Sequence, residues 1–238
     1  MNAAATEPVE AVAEDSTVYI VRRVDRPPDP GEGWDEGAWR GVPSIPVAHF
    51  RPESSAHRPR TRVKLVFDTE VLCGLFRVED RFIRCVHTGY QAPVYKDSCV
   101  EFFVQPRPDR GYFNFEFNCG GALLASYITD PRRTAEGFAA WQPLTADEGR
   151  RIAVRSSLPP LVDPEVREAR TWQLAFRIPL NVLGRYAGSL SMTAGAIWRA
   201  NFYKCGDETS HPHWAAWQPV DALNFHLPHC FGRLRFEE

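Results

Sequence analysis

Side chains able to recognise a polar ring recur at every second position in two runs of this chain. Arg199, Asn201 and Tyr203 alternate with Trp198, Ala200 and Phe202, and Asn114, Glu116 and Asn118 alternate with Phe113, Phe115 and Phe117. Period two is the mark of a strand with one apolar and one polar face. Arg77 takes a similar outward place on a third run, beside Cys73 and Leu75. Tyr95, Asp97 and Glu101 lead into a strand, and Trp214 and Trp217 follow the Arg199 run across a loop rich in Gly, Asp, Thr, Ser and Pro. Carboxylates, amides and guanidinium groups suit hydroxyls that both donate and accept. Trp and Tyr faces suit C–H surfaces. Together they make the mixed lining of a small-ligand site, and a sugar fits that chemistry. The same alternation also describes the solvent side of an ordinary antiparallel sheet.

Other chemistries are less well supplied. Glu101 and Glu116, on adjacent strands, offer the two carboxyls a glycoside hydrolase needs, roughly 5–9.5 Å apart. His211, His213, His226 and His229, with Cys205 and Cys230 near them in sequence, are zinc-type ligands, but their spacing matches no standard zinc pattern. Met192 is the only Met besides the initiator, which argues against a haem held by a Met axial ligand. There is no Gly-rich phosphate loop, Gly-x-Ser-x-Gly elbow or His-Glu-x-x-His. No catalytic residue, metal or cofactor is expected on these grounds.

The elements that must position the candidates are strands. Between Val18 and the end of the chain the pattern gives about nine or ten short strands, separated by turn signals, with almost no helix. The clearest are Thr61 to Asp68, Leu72 to Val78, Val100 to Gln105, Tyr112 to Cys119, Thr171 to Ile178 and the Trp198 run. Pro179 to Tyr186 suits one or two helical turns, with Pro at the start. Asp130 to Arg150, which contains Trp141, reads as an irregular excursion. The fold class expected is all-β, an antiparallel β-sandwich of jelly-roll type. It fills one domain over residues 18–238, behind a disordered tail at 1–17.

Composition bounds the partners. The 238 residues carry 28 basic and 30 acidic side chains, a net charge of −2, which gives no basic footprint for nucleic acid. No apolar run approaches the ~20 residues of a membrane span. Nothing at the N-terminus reads as a signal peptide, so the cytoplasm is expected, or an extracellular or periplasmic place if a native leader was removed. Six cysteines without Cys-x-x-Cys are expected to be reduced, and the chain to be a monomer or weak oligomer.

Two blocks resemble a known family. Asp97, four residues before Glu101, leads into the Tyr112-Phe-Asn-Phe-Glu-Phe-Asn118 strand, and a late Trp is followed by Phe231-Gly-Arg-Leu234. This pattern looks like the carbohydrate-binding module family 9 domains, part of a DOMON-like group of sandwiches. The resemblance spans about residues 18–238. It implies non-catalytic binding of glucose- or xylose-type mono- or oligosaccharides, with a terminal ring clamped between two aromatics. Carried over, the clamp is Tyr95 with Trp214 or Trp217, and the polar groups are Glu101, Arg199 and Asn201. Arg77, Asp97 and Glu116 complete the candidate site. The resemblance also implies a structural calcium, though no Asp-rich calcium loop stands in the sequence. The alternatives are a hydrolase using Glu101 and Glu116, or a sandwich that binds another protein.

Overall fold

A computed structural model describes residues 17–135 and 137–237. Apart from Thr17, the tail expected at 1–17 lies outside them. The cleanest alternation in the sequence becomes β8 (Tyr112–Asn118), paired antiparallel with β7 (Cys99–Gln105) and β9 (Leu123–Thr134). On the far side of β7 runs β14 (Ile197–Cys205), and β10 (Gly137–Pro143) extends the layer beyond β9. The facing layer contains β4 (Arg60–Phe67), β5 (Val71–Asp80), β13 (Arg170–Pro179) and β11 (Ala153–Ser156).

The two layers meet on aromatic rings. Phe176 of β13 lies 5.5 Å from Phe102 and 5.3 Å from Phe117 between ring centroids, and Phe76 lies 6.0 Å from Phe202. Rings of this size bury ~150 Å² or more each and dominate core energetics. Room for Phe176 is made by Gly74, its cross-strand partner: a Cβ there would come within 2.1 Å of the ring. The expected sandwich is therefore present.

One strand departs from a purely antiparallel arrangement. β1 (Val18–Arg23) pairs in parallel with β16 (Gly232–Glu237) and, at Arg22 and Arg23, in parallel with β4. Hydrogen bonding thus passes from one layer to the other along the order β10-β9-β8-β7-β14-β16-β1-β4-β5-β13-β11. Short strands stand where loops were expected: β2 (Ile45–Val47), β3 (His49–Phe50), β6 (Ile83–Cys85), β12 (Val162–Val166) and β15 (Trp214–Ala216). The expected helical turns after Pro179 are α2 (Leu180–Ala187). The excursion at 130–150 is ordered too: it holds the end of β9, all of β10, and most of α1 (Ala146–Arg151), whose N-terminus is closed by a Thr145–Glu148 capping box.

Register decides which side chains share the outer face. Glu101 stands opposite Glu116, Phe103 opposite Asn114, and Cys99 opposite Asn118. Tyr203 stands opposite Glu101, and Cys205 opposite Cys99. Directly opposed residues project to one face, so these side chains form a single outer surface behind the aromatic core. Among the described residues no helix is long and apolar enough to cross a membrane.

Candidate functional site

Part of that outer surface is the floor of a cavity of about 550 Å³, within the roughly 300–1,000 Å³ of small-molecule sites. Glu101, Glu116 and Asn114 lie on the floor. Three walls rise around it. Tyr95 comes from a single 3₁₀ turn, Val94–Lys96, just before β7. Asp207 comes from the loop after β14 and Trp214 from the start of β15, and Phe138 and Trp141 come from β10. Asn224 to His226 close the remaining side.

The aromatic wall is open to solvent while the polar floor is not. Tyr95 is 36% exposed and Trp141 44%, whereas Glu101 is 2% and Glu116 5% exposed. Trp214 is fixed by its indole N–H, which donates to Asp207 Oδ1 at 2.7 Å. Asn114 Nδ2 donates to Glu116 Oε1 at 2.7 Å, and Asn114 Oδ1 accepts the Ser126 N–H. Glu116 Oε2, buried, has no protein partner. Burial pushes the Glu116 carboxyl up to about 7, the Asp207 carboxylate adding to the rise. Burial likewise holds Glu101 well above the usual carboxylate range, with Cys205 and Glu116 beside it. A carboxyl near neutrality can donate as well as accept, which matches a hydroxyl.

Of the sequence candidates, Tyr95, Glu101, Glu116 and Trp214 meet in this cavity. Five do not. Arg77 lies on β5 of the opposite layer, paired across strands with Arg62 and Gln173 and 4.0 Å from Glu79, because the hairpin carrying it belongs to the other sheet. Asp97 is fully buried: its carboxylate accepts the backbone N–H groups of Val86 and His87 and the Asn118 amide, pinning the preceding loop. Asn201 is spent on the backbone as well, accepting from Phe202 and Gln218 and donating to Gln218 O. Arg199 donates to the carbonyls of His229 and Phe231. Trp217 faces inward, 6% exposed and 5.8 Å from the Phe202 ring. It lies three residues beyond Trp214, so alternation turns the two apart.

Phe138 and Trp141 were missed for a physical reason. The β9–β10 ladder shifts register on both sides of Ala140. At each shift the extra residue falls on β9, and the irregular ladder interrupts the regular pleat. Phe138 and Trp141, three apart on β10, both line this cavity, 6.2 Å between rings. Gly137, with φ +123°, opens the hairpin beside them. Arg133, stacked 4.1 Å over Phe138, also carried no signal in the sequence.

The histidines noted in the sequence are dispersed. His226 walls the cavity and bonds to Tyr112 Oη, while His213 lies in a separate buried cluster with Lys204 and Asp80. Among the described residues the groups of three or more ligating side chains are Cys99–Glu101–Cys205 and Asp221–His229–Cys230. Each contains a thiol, so neither fits the about six to eight oxygens that calcium takes.

The fold has counterparts. The chain is similar over 92% of its length to the crystal structure of a protein described provisionally as carbohydrate-binding from Bacteroides uniformis ATCC 8492, with 27% identity, a TM-score of 0.76 and 99% of that chain covered. It is also similar to a carbohydrate binding module family 9 from Caldicellulosiruptor kristjanssonii in complex with glucose, at 15% identity, TM-score 0.62, covering 92% of this chain and 95% of that one. The cellotriose complex of a family 9 module from the same organism matches at 16% identity and TM-score 0.63, covering 92% and 93%. A search of curated proteins finds no match. The family model described as carbohydrate-binding family 9 matches residues 40–236, and the chain belongs to that family.

Proposed function

We propose that the protein binds carbohydrate without turning it over, and that the cavity on the β7–β8 face is where it does so. Tyr95 and Trp214 stack on the sugar ring from two walls, and Trp141 supplies a third face. Glu116 and Asn114 hold hydroxyls from below. The observation that carries this reading is Glu116 Oε2, a buried carboxyl oxygen without a protein partner under a ring of solvent-facing aromatics. Leaving such a group unpaired costs about 1–3 kcal/mol, which a ligand hydroxyl removes. The glucose and cellotriose held by structurally similar family 9 modules support glucose-type sugars.

Hydrolysis is the less favoured reading. Glu101 and Glu116 are direct cross-strand partners on one floor. Hydrolysis needs carboxyls on both sides of the scissile bond, and a sugar seated above this floor meets both from one side. Tryptophan fluorescence titrated with glucose, cellobiose, cellotriose and xylobiose tests binding, and release from an aryl glucoside tests turnover. Saturable quenching without turnover is the expected result. Turnover that disappears in Glu116→Gln would reverse the assignment.

A further inference from the structure

Cys99 and Cys205 are cross-strand partners in the β7–β14 ladder, and Glu101 reaches between them. Cys205 Sγ lies 3.1 Å from Glu101 Oε1 and Cys99 Sγ 4.0 Å from it. All three ligand atoms lie within 4.8 Å of one another, and the three residues are 0–2% exposed. Among the described residues, the hydrogen bonds of the Glu101 carboxyl are to these two thiols. Lys204, the neighbouring cation in sequence, projects to the opposite face and is engaged there by Asp80 and His213. Two soft thiols and one carboxyl thus converge, buried, with no cation among them. Such a group is stable only if neutralised, by retained protons or by a metal ion.

We propose that Cys99, Glu101 and Cys205 form a metal site, and that the ion is a thiophilic divalent cation, zinc above all. A tetrahedral zinc with Zn–S near ~2.3 Å and Zn–O near ~2.1 Å needs ligand separations of roughly 3.6–3.8 Å, and the observed 3.1 and 4.0 Å bracket that range. Calcium and magnesium prefer oxygen ligands, which the paired thiols oppose. Entry is through the cavity, since Glu101 and Cys205 line it while Cys99 sits behind them. Three protein ligands leave a fourth position, as in zinc sites that hold an exchangeable water. On binding, the two thiols release their protons and the carboxyl any it holds, so uptake is favoured as pH rises. The site does not depend on the sugar reading, because its three protein ligands converge without a carbohydrate.

Cobalt(II) added to the reduced full-length protein reports the site. One equivalent should be bound, with a thiolate-to-cobalt absorption in the near ultraviolet and the visible bands of a tetrahedral ion, both removed by zinc. Cys99→Ser and Cys205→Ser should each weaken uptake by more than the roughly 10-fold that loss of even a supporting partner costs. Cys230→Ser, in the exposed group with Asp221 and His229, should leave it unchanged. If the serine variants do not fold, the wild-type stoichiometry and the strength of its thiolate absorption decide. Absence of stoichiometric uptake would overturn the proposal, as would an unchanged cobalt spectrum in folded Cys205→Ser. A Cys99–Cys205 disulfide in metal-free protein isolated without reductant would assign the same sulfurs to a cross-link instead.

Discussion

Phe138 and Trp141 of β10 line one cavity, 6.2 Å between rings, beside two register shifts that flank Ala140. Trp141 is a wall of the cavity, where it is 44% exposed and free to meet a ligand. Trp141→Ala should therefore weaken sugar binding by about tenfold, or ~1.4 kcal/mol, and leave thermal stability within ~0.5 kcal/mol of wild type, as for most surface changes. Calorimetry beside a thermal melt separates the two effects. A large stability loss would mean that the indole is structural.

Trp214 and Trp217 should behave oppositely, although both are candidates for the same role in the sequence. Trp217 packs in the core, and Trp217→Ala should cost about 3–5 kcal/mol by leaving a cavity. Trp214→Ala should cost less stability and more sugar affinity, and should free Asp207 from its indole partner. Urea unfolding curves for both variants test this. Equal destabilisation would place the two indoles in equivalent surroundings.

Gly74→Ala is expected to be disruptive despite its small volume. The added Cβ meets the Phe176 ring at the centre of the aromatic core. Overpacking of this kind costs about 1–3 kcal/mol. The combined Gly74→Ala, Phe176→Leu variant should recover part of the loss. A Gly74→Ala protein as stable as wild type would show that the ring has room to move.

Asp80, His213 and Lys204 form a buried cluster that makes stability fall in acid. Burial pushes the Asp80 carboxyl up, but Lys204 and the His57 hydrogen bond outweigh it and hold the group at about 2. Its contribution is complete above its unfolded value of ~3.9 and is lost as pH falls through about 2. Burial, reinforced by Lys204, pulls His213 down to about 3. The unfolded chain takes up that proton below ~6.5 and the folded chain refuses it, so stability is lost as pH falls from 6.5 toward 3, by up to ~1.4 kcal/mol per unit. The raised carboxyls of Glu101 and Glu116 act in the opposite sense, so the test is a difference. The stability gap between wild type and His213→Gln should narrow as pH falls from 6.5 to 4.5. A gap constant with pH would show that His213 titrates alike folded and unfolded.

The sandwich was legible because its strands keep strict period two, as Phe113, Phe115 and Phe117 do against Asn114, Glu116 and Asn118. Alternation says which side a residue faces, not which sheet it joins or which partner it finds. Arg77 reads as an outward polar residue and is one, but on the other layer. Asn201 and Arg199 share the face of Glu101, yet backbone groups of the Trp217–Gln218 and His229–Phe231 segments consume them. Asp97 reads as a ligand-binding carboxylate and is held instead by the N–H groups of its own loop. Trp141 stands on a strand whose pairing with β9 is irregular, a two-strand property that one strand's pattern does not record. Pairing Glu101 with Glu116 was foreseeable from adjacent strands; pairing Cys99 with Cys205 needed the register of two distant ones.

The most direct test of the central claim is calorimetric titration with glucose and cellotriose of wild type and of the Tyr95→Ala, Trp141→Ala double variant. Both side chains are exposed on the cavity wall, so the variant should fold as wild type does. Saturable binding to wild type, lost in the variant at unchanged melting temperature, is the result expected. Binding of equal strength to both proteins would place the sugar elsewhere on the molecule and contradict the assignment.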